Sequence, residues 1–337
     1  MKWIGILLFC TSSLSLAQRS DFRHIDFTKA DSIAYEHQNE SLENLPILTH
    51  NLTAHLATDV EKFRAIYTWV GISIENDYSS YLTTKKKRKK LSDKPTALRE
   101  WNNSFTPKVF ENLVKHKKTA CTGYAYLIRE LAALAGIKSK IVDGYGRTAT
   151  LLLDGNSIPN HSWNTVLLNG KWYLCDATWS AGKIILDADG PRFEQDYFDG
   201  YFLASPELFI KNHYPLDIKS SLLDQPPTFE AFLKGPVVYK AAFRANIIPK
   251  APQEMQLTIV KNEDISFRFS SEEAIEIADL SLVLNKGGTS RNVLPKIIED
   301  GKEYVLTHNF STPISYDAHV KLGDDFIASY VVRVKRK

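Results

Sequence analysis

Three residues of this chain have the types and the order that nucleophilic acyl chemistry needs: Cys121 in KTACTGYAYLIRELAALAG, His161 in NHSWN and Asp176 in KWYLCDATW. A thiol is a weak nucleophile until an imidazole takes its proton, and the imidazole needs a carboxylate to hold its tautomer and stabilise its charge. After Cys121 the apolar residues Tyr124, Leu127, Ile128, Leu131, Leu134 and Ala135 recur at helical spacing, and Gly136 stands where a left-handed cap would fall. Cys121 therefore belongs to a first helical turn, where unsatisfied N–H groups and the positive end of the dipole favour a thiolate. Those N–H groups, that of Cys121 included, are candidate oxyanion donors. The indoles of Trp101 and Trp163 are candidates for substrate binding or for the second oxyanion contact. Each triad residue also has a plain structural reading: a small buried hydrophobe, a hydrogen-bonded strand histidine, a turn-forming aspartate.

The element that must bring His161 and Asp176 together is a hairpin. HSWNTVLL and KWYLC flank Asn169-Gly170, a strong two-residue turn signal. That register sets position 161 opposite 178, with Asp176 one diagonal step from His161, ~7 to 8 Å away at Cα and within side-chain reach. Side chains alternate along a strand, so Cys175 points away from Asp176. Cys175 then reads as a buried structural cysteine and Cys121 as free, against the alternative that the two form a disulfide. No CxxC or HxxxH spacing is present, and DADG at 187–190 lacks most positions of a calcium loop, so neither a metal nor another cofactor is expected.

Around these elements the 337-residue chain is 44% hydrophobic and 24% charged, a globular composition, and its net charge of +3 gives no reason to expect a nucleic-acid partner. MKWIGILLFCTSSLSLAQRS has a basic start, a short apolar core and small residues before Gln18, which predicts an export signal over 1–17 and a periplasmic or extracellular protein. No later run approaches the ~20 apolar residues of a transmembrane helix. TDVEKFRAIYTWVGISIENDY carries a Thr58/Glu61 capping box and an apolar stripe, predicting a core-facing helix that ends near Asn76. KKKRKK at 85–90 reads as a solvated loop, and Thr106-Pro107 as the start of a short helix through Val114. Residues 191–235 read as aromatic and helical. Beyond about Asn246, six alternating segments separated by turn residues have the spacing of a small immunoglobulin-like β-sandwich. The fold class is α+β: helices, an antiparallel sheet, then an all-β unit.

The combination of a cysteine at a helix start, NHSWN and KWYLCDATW resembles the transglutaminase-like superfamily. FRAIYTWVGISIENDY before it and YFLASPELFIKNHYPLD with SLLDQPPTFEAFLKGP after it resemble the kyphoscoliosis peptidase-like branch, across roughly residues 45–240. The resemblance implies a papain-like core over 18–240, with 191–240 as its extension, a sandwich over 246–337, and a Cys121, His161, Asp176 triad. The chain departs from the branch in having Cys175 before the aspartate and IKSSLLDQ without a preceding tryptophan. The function this implies is an exported thiol enzyme acting on amide or peptide carbonyls through an acyl-cysteine. It would be a cysteine peptidase or amidase with a protein or peptide substrate, cell-wall peptide included, or a transglutaminase-type acyltransferase. The alternative is a non-catalytic peptide-binding or adhesion module on the same fold.

Overall fold

The computed structural model describes residues 19–336 apart from 152 and 189. The expected export signal, with Cys10 in it, lies outside the described residues. Helices Thr28–Glu36 and Leu45–Thr53 pack on the helix Asp59–Ser73, which begins at a full capping box, Thr58 with Glu61. This third helix is a pillar rather than a one-sided helix, because Phe63, Ile66, Tyr67, Trp69 and Val70 are all buried. Its Arg64 is buried too, paired with Asp31 at 2.7 Å and with Asp199 at 3.0 Å, which ties the first helix and a distant loop to the pillar.

Two expectations fail next. The basic run is not a loop: Lys85 to Lys90 form the C-terminal half of the helix Tyr78–Lys90, capped by Asp77. Lysine and arginine are good helix formers, and cations in a last turn suit the negative end of the dipole. Nor does a helix start at Thr106. Pro95–His116 is one helix with Pro107 inside it, started by a different proline, Pro95, in its first turn. Its last turn is closed by Lys117 in the left-handed region.

The helix that Cys121 opens, Cys121–Leu134, ends as its sequence predicts. Gly136 has φ +79° and the Ile137 N–H returns to the Ala132 carbonyl. It packs on a four-stranded antiparallel sheet, ordered Lys171–Cys175, His161–Leu168, Ser139–Gly146, His213–Pro215. Asn169 and Gly170, at φ 47° and 81°, make the turn, and Asn164 pairs with Cys175 in the expected register. Val166, Leu168, Tyr173 and Cys175 face the helices, whereas Val142, Trp163 and Leu174 face the C-terminal unit. The segment 191–235, expected to be aromatic and helical, begins in the second strand of a hairpin, Gly182–Asp187 with Gly190–Gln195, and later contributes the strand His213–Pro215 to the core sheet.

The C-terminal unit is two sheets over one core. Ile247–Ala251, Glu263–Ser271, Glu303–Phe310 and Lys296–Asp300 form one sheet, and Gln256–Val260, Asp325–Lys335, Ser315–Leu322, Leu280–Lys286 and Thr289–Val293 form the other. Phe267, Phe269 and Tyr304 from the first meet Leu282, Val320 and Tyr330 from the second. Strands Thr289–Val293 and Lys296–Asp300 were invisible in the sequence because they are mostly exposed edge strands without an alternating apolar face. Among the described residues no helix is long and apolar enough to cross a membrane.

Candidate active site

Cys121 is the first residue of its helix, after an Ala120 cap that offers no side chain to the first-turn amides. Gly123 lets this turn sit against the chain before it, since a Cβ there would fall 2.0 Å from Thr119 Oγ1. Cys121 is partly exposed, while Cys175 is fully buried, and both are free thiols. The Cys175 side chain lies on the helix-facing side of the sheet, where burial pushes its thiol up.

His161 opens its strand and is buried, with its ring stacked on Trp179 at 5.0 Å. Its Nε2 lies 2.6 Å from Asp176 Oδ2, so Nδ1 is the nitrogen left for Cys121. Asp176 is held on every side. Its Oδ1 accepts from the N–H groups of Thr178 and Trp179 at 2.8 and 3.2 Å, capping the helix Ala177–Ala181, and its Oδ2 also lies 3.0 Å from His213 Nε2.

Burial opposes ionisation of the Cys121 thiol. The hydrogen bond and charge of His161, with the Ser162 backbone N–H, outweigh it and hold the thiol below its ordinary value. Burial likewise opposes charge on His161, yet Asp176 and Cys121 raise it to about 10. Burial would raise Asp176, but the two histidines keep it well below the usual carboxylate range. The arrangement suits the passage of a proton from a thiol to an imidazole that a carboxylate backs. His213 goes the other way: burial lowers it to about 4 and it stays neutral.

His213 is the residue that sequence reasoning missed. It stacks on Phe209 at 3.9 Å, packs at a tilt against Trp179 at 4.2 Å, and reaches Asp176 because Gly146 pairs with His213 across the sheet. No local pattern marks it; the pairing is long-range. His161, Asp176 and His213 offer ligand atoms within 4.8 Å of one another. A carboxylate only accepts, so both Nε2 atoms facing it carry protons and present no lone pair to a common metal. The donor set fits a hydrogen-bonded relay.

The two tryptophans part company. Trp101 stacks on Phe105 and lines a small cavity of about 100 Å³ that opens at Cys121. Trp163 is buried beneath the His161 ring, packed on Phe209, and its Nε1 has no partner among the described residues. A larger cleft of about 480 Å³ also reaches Cys121 and His161, walled by Leu151, Ile184, Phe193 and Tyr239.

The profile of the transglutaminase-like superfamily matches residues 47–177. Human kyphoscoliosis peptidase is 31% identical over 61% of this chain and 28% of its own length. Hillarin of Drosophila melanogaster is 24% identical over 74% of this chain and 32% of its own. The chain thus spans about a third or less of these relatives. Among solved structures, the match to the Lin-41 filamin domain covers 31% of this chain and 99% of that one, at a TM-score of 0.22 and 11% identity.

Proposed function

Because the chain belongs to the transglutaminase-like superfamily, in its kyphoscoliosis peptidase-like branch, we propose that it is an exported thiol enzyme that cleaves amide or peptide bonds through Cys121. The observation that carries this reading is the 2.6 Å contact of His161 with Asp176, behind a Cys121 whose thiol is held low by the same imidazole.

The Cys121 thiolate attacks the carbonyl carbon, and the helix-start N–H groups, that of Cys121 among them, receive the oxyanion. His161 returns its proton to the leaving amine, and an acyl-cysteine remains. Water then gives up a proton to His161, attacks the thioester and releases the acid, restoring the thiol pair. An amine in place of water would give acyl transfer; hydrolysis is the reading taken here because water always reaches an open cleft. Asp176 and the caps on it fix the imidazole throughout. Export rests on residues 1–17, and recovery of a chain beginning at Gln18 outside the cytoplasm is its test.

The test of the chemistry is the alkylation rate of each cysteine between pH 5 and 9, read by mass spectrometry of labelled peptides. Cys121 should react fast below pH 7 and Cys175 slowly. His161→Ala should move the Cys121 profile toward a free thiol, near ~8.5. If His161→Ala reacts at pH 6 as fast as the parent, the triad is wrong. The chain would then stand as a peptide-binding module.

A further inference from the structure

The basic run Lys85 to Lys90 has a place at Cys121. Folded as a helix, it turns Lys85 and Arg88, one turn apart, toward the small cavity that holds Cys121, and Lys85 also borders the larger cleft. Tyr81, Trp101 and Phe105 form the apolar wall of the same cavity.

Two facts give these charges a purpose. Among the described residues no Asp or Glu lines either cavity, although acidic and basic residues are nearly balanced over the whole chain, at 39 and 42. Two other lysines in the larger cleft are already answered: Lys183 lies 2.9 Å from Glu194, and Lys240 lies 3.6 Å from Asp196. Among the described residues Lys85 and Arg88 have no such partner; the Lys85 ammonium lies over the Tyr81 ring, 5.8 Å from its centre. A concave site with unpaired cations of one sign concentrates ligands of the other, and the walls around it weaken the screening.

We propose that the substrate is an acidic peptide, with a carboxylate side chain beside the amide that Cys121 attacks, received by Lys85 and Arg88 while its apolar part lies on Tyr81, Trp101 and Phe105. This inference rests on the thiol reading above and deepens it. It also bears on the acceptor: the field that draws a carboxylate repels a lysine ammonium, so water and not a lysine takes the acyl group.

The test uses two reagents of equal reach and opposite requirement. Iodoacetate is anionic and iodoacetamide neutral, and both deliver a carbon to the Cys121 sulfur with loss of iodide. The ratio of their rates at Cys121 reads the charge of the cleft. In the parent at low salt that ratio should exceed that of the Lys85→Gln, Arg88→Gln double variant by about three- to tenfold. The excess should shrink in 0.5 M salt. Lys89→Gln with Lys90→Gln takes two charges from the same helix outside the cavities, and should leave the ratio near that of the parent. A blocked pentapeptide Ala-Glu-Phe-Glu-Ala should protect Cys121 from iodoacetamide at lower concentration than Ala-Lys-Phe-Lys-Ala. Equal ratios in parent and double variant, or equal protection by the two peptides, overturn the acidic substrate and leave the thiol enzyme standing. A Cys121 inert to both reagents overturns both.

Discussion

Asp176 makes four contacts with one carboxylate, two on each oxygen, and its neighbours divide the work. Oδ1 shapes the chain and Oδ2 serves the histidines. Asp176→Asn keeps an oxygen for the helix cap but removes the charge, so Cys121 alkylation at pH 6 should fall at least about tenfold while the fold persists. The signs for stability follow from the shifts. The folded Asp176 is depressed, so its contribution is full above the ordinary 3.8 and is lost as pH falls from there toward the lower folded value. The folded His161 is raised, so its contribution is full below 6.5 and is lost as pH rises through about 10. Thermal midpoints from pH 2 to 11 should trace both limbs in the parent, and Asp176→Asn should flatten them. His213 acts through Asp176. His213→Phe removes one donor, so the acid limb of the Cys121 alkylation profile should move to higher pH and the rate at pH 6 should drop about tenfold. His213→Gln, which keeps a donor, should recover part of it. A variant profile that overlays the parent would make His213 a packing residue only.

Elements were legible to the degree that their signals were local. The capping box at Thr58, the Gly136 cap and the Asn169-Gly170 turn each lie within a few residues, and each stands where the sequence put it. Pro107 misled because an interior proline costs a hydrogen bond that a long helix can give up when the rest of it is paired. The basic run misled because charge says only that a segment is solvated, and a solvated segment can still be a helix. The helix of Cys121 depends on a close approach at Gly123. Gly123→Ala would set a methyl against the buried Thr119, so it should destabilise the protein by about 1 to 3 kcal/mol and slow Cys121 alkylation as the first turn shifts. Urea unfolding and the labelling rate check the two effects separately. Unchanged stability would mean that Thr119 simply rotates away.

At the scale of the molecule, the core sheet and the sandwich share apolar ground. Trp163, Leu174 and Val142 lie in the same buried cluster as Phe267, Leu282 and Tyr330. Val237–Val238 pairs with the last strand, Asp325–Lys335, and so stitches the junction into the second sheet. Arg147 anchors the same region. It is buried against Phe232 and donates to the carbonyls of Lys211, Leu233 and Pro236 at 3.3, 3.1 and 2.8 Å. Desolvation pushes its guanidinium down to about 10. Arg147→Met leaves those three carbonyls without their donor and should cost about 3 kcal/mol, seen as a lower urea midpoint. The parent should unfold in one transition by both fluorescence and circular dichroism. Two separate transitions in the parent would show that the shared core does not couple the units.

The sequence by itself determined the hairpin that brings a histidine to an aspartate, the helix whose first turn carries a cysteine, and the α+β order of the elements. All of these are written in side-chain period, turn chemistry and caps, which act over a few residues. Only the tertiary structure decided that His213 shares the carboxylate of Asp176, that Trp101 borders the cavity at Cys121 while Trp163 is buried under His161, and that Lys85 and Arg88 line the cavity at Cys121. Those placements depend on strand pairing and helix docking between residues far apart in the chain, and no local pattern encodes which distant partner a solvated helix or a short strand will meet.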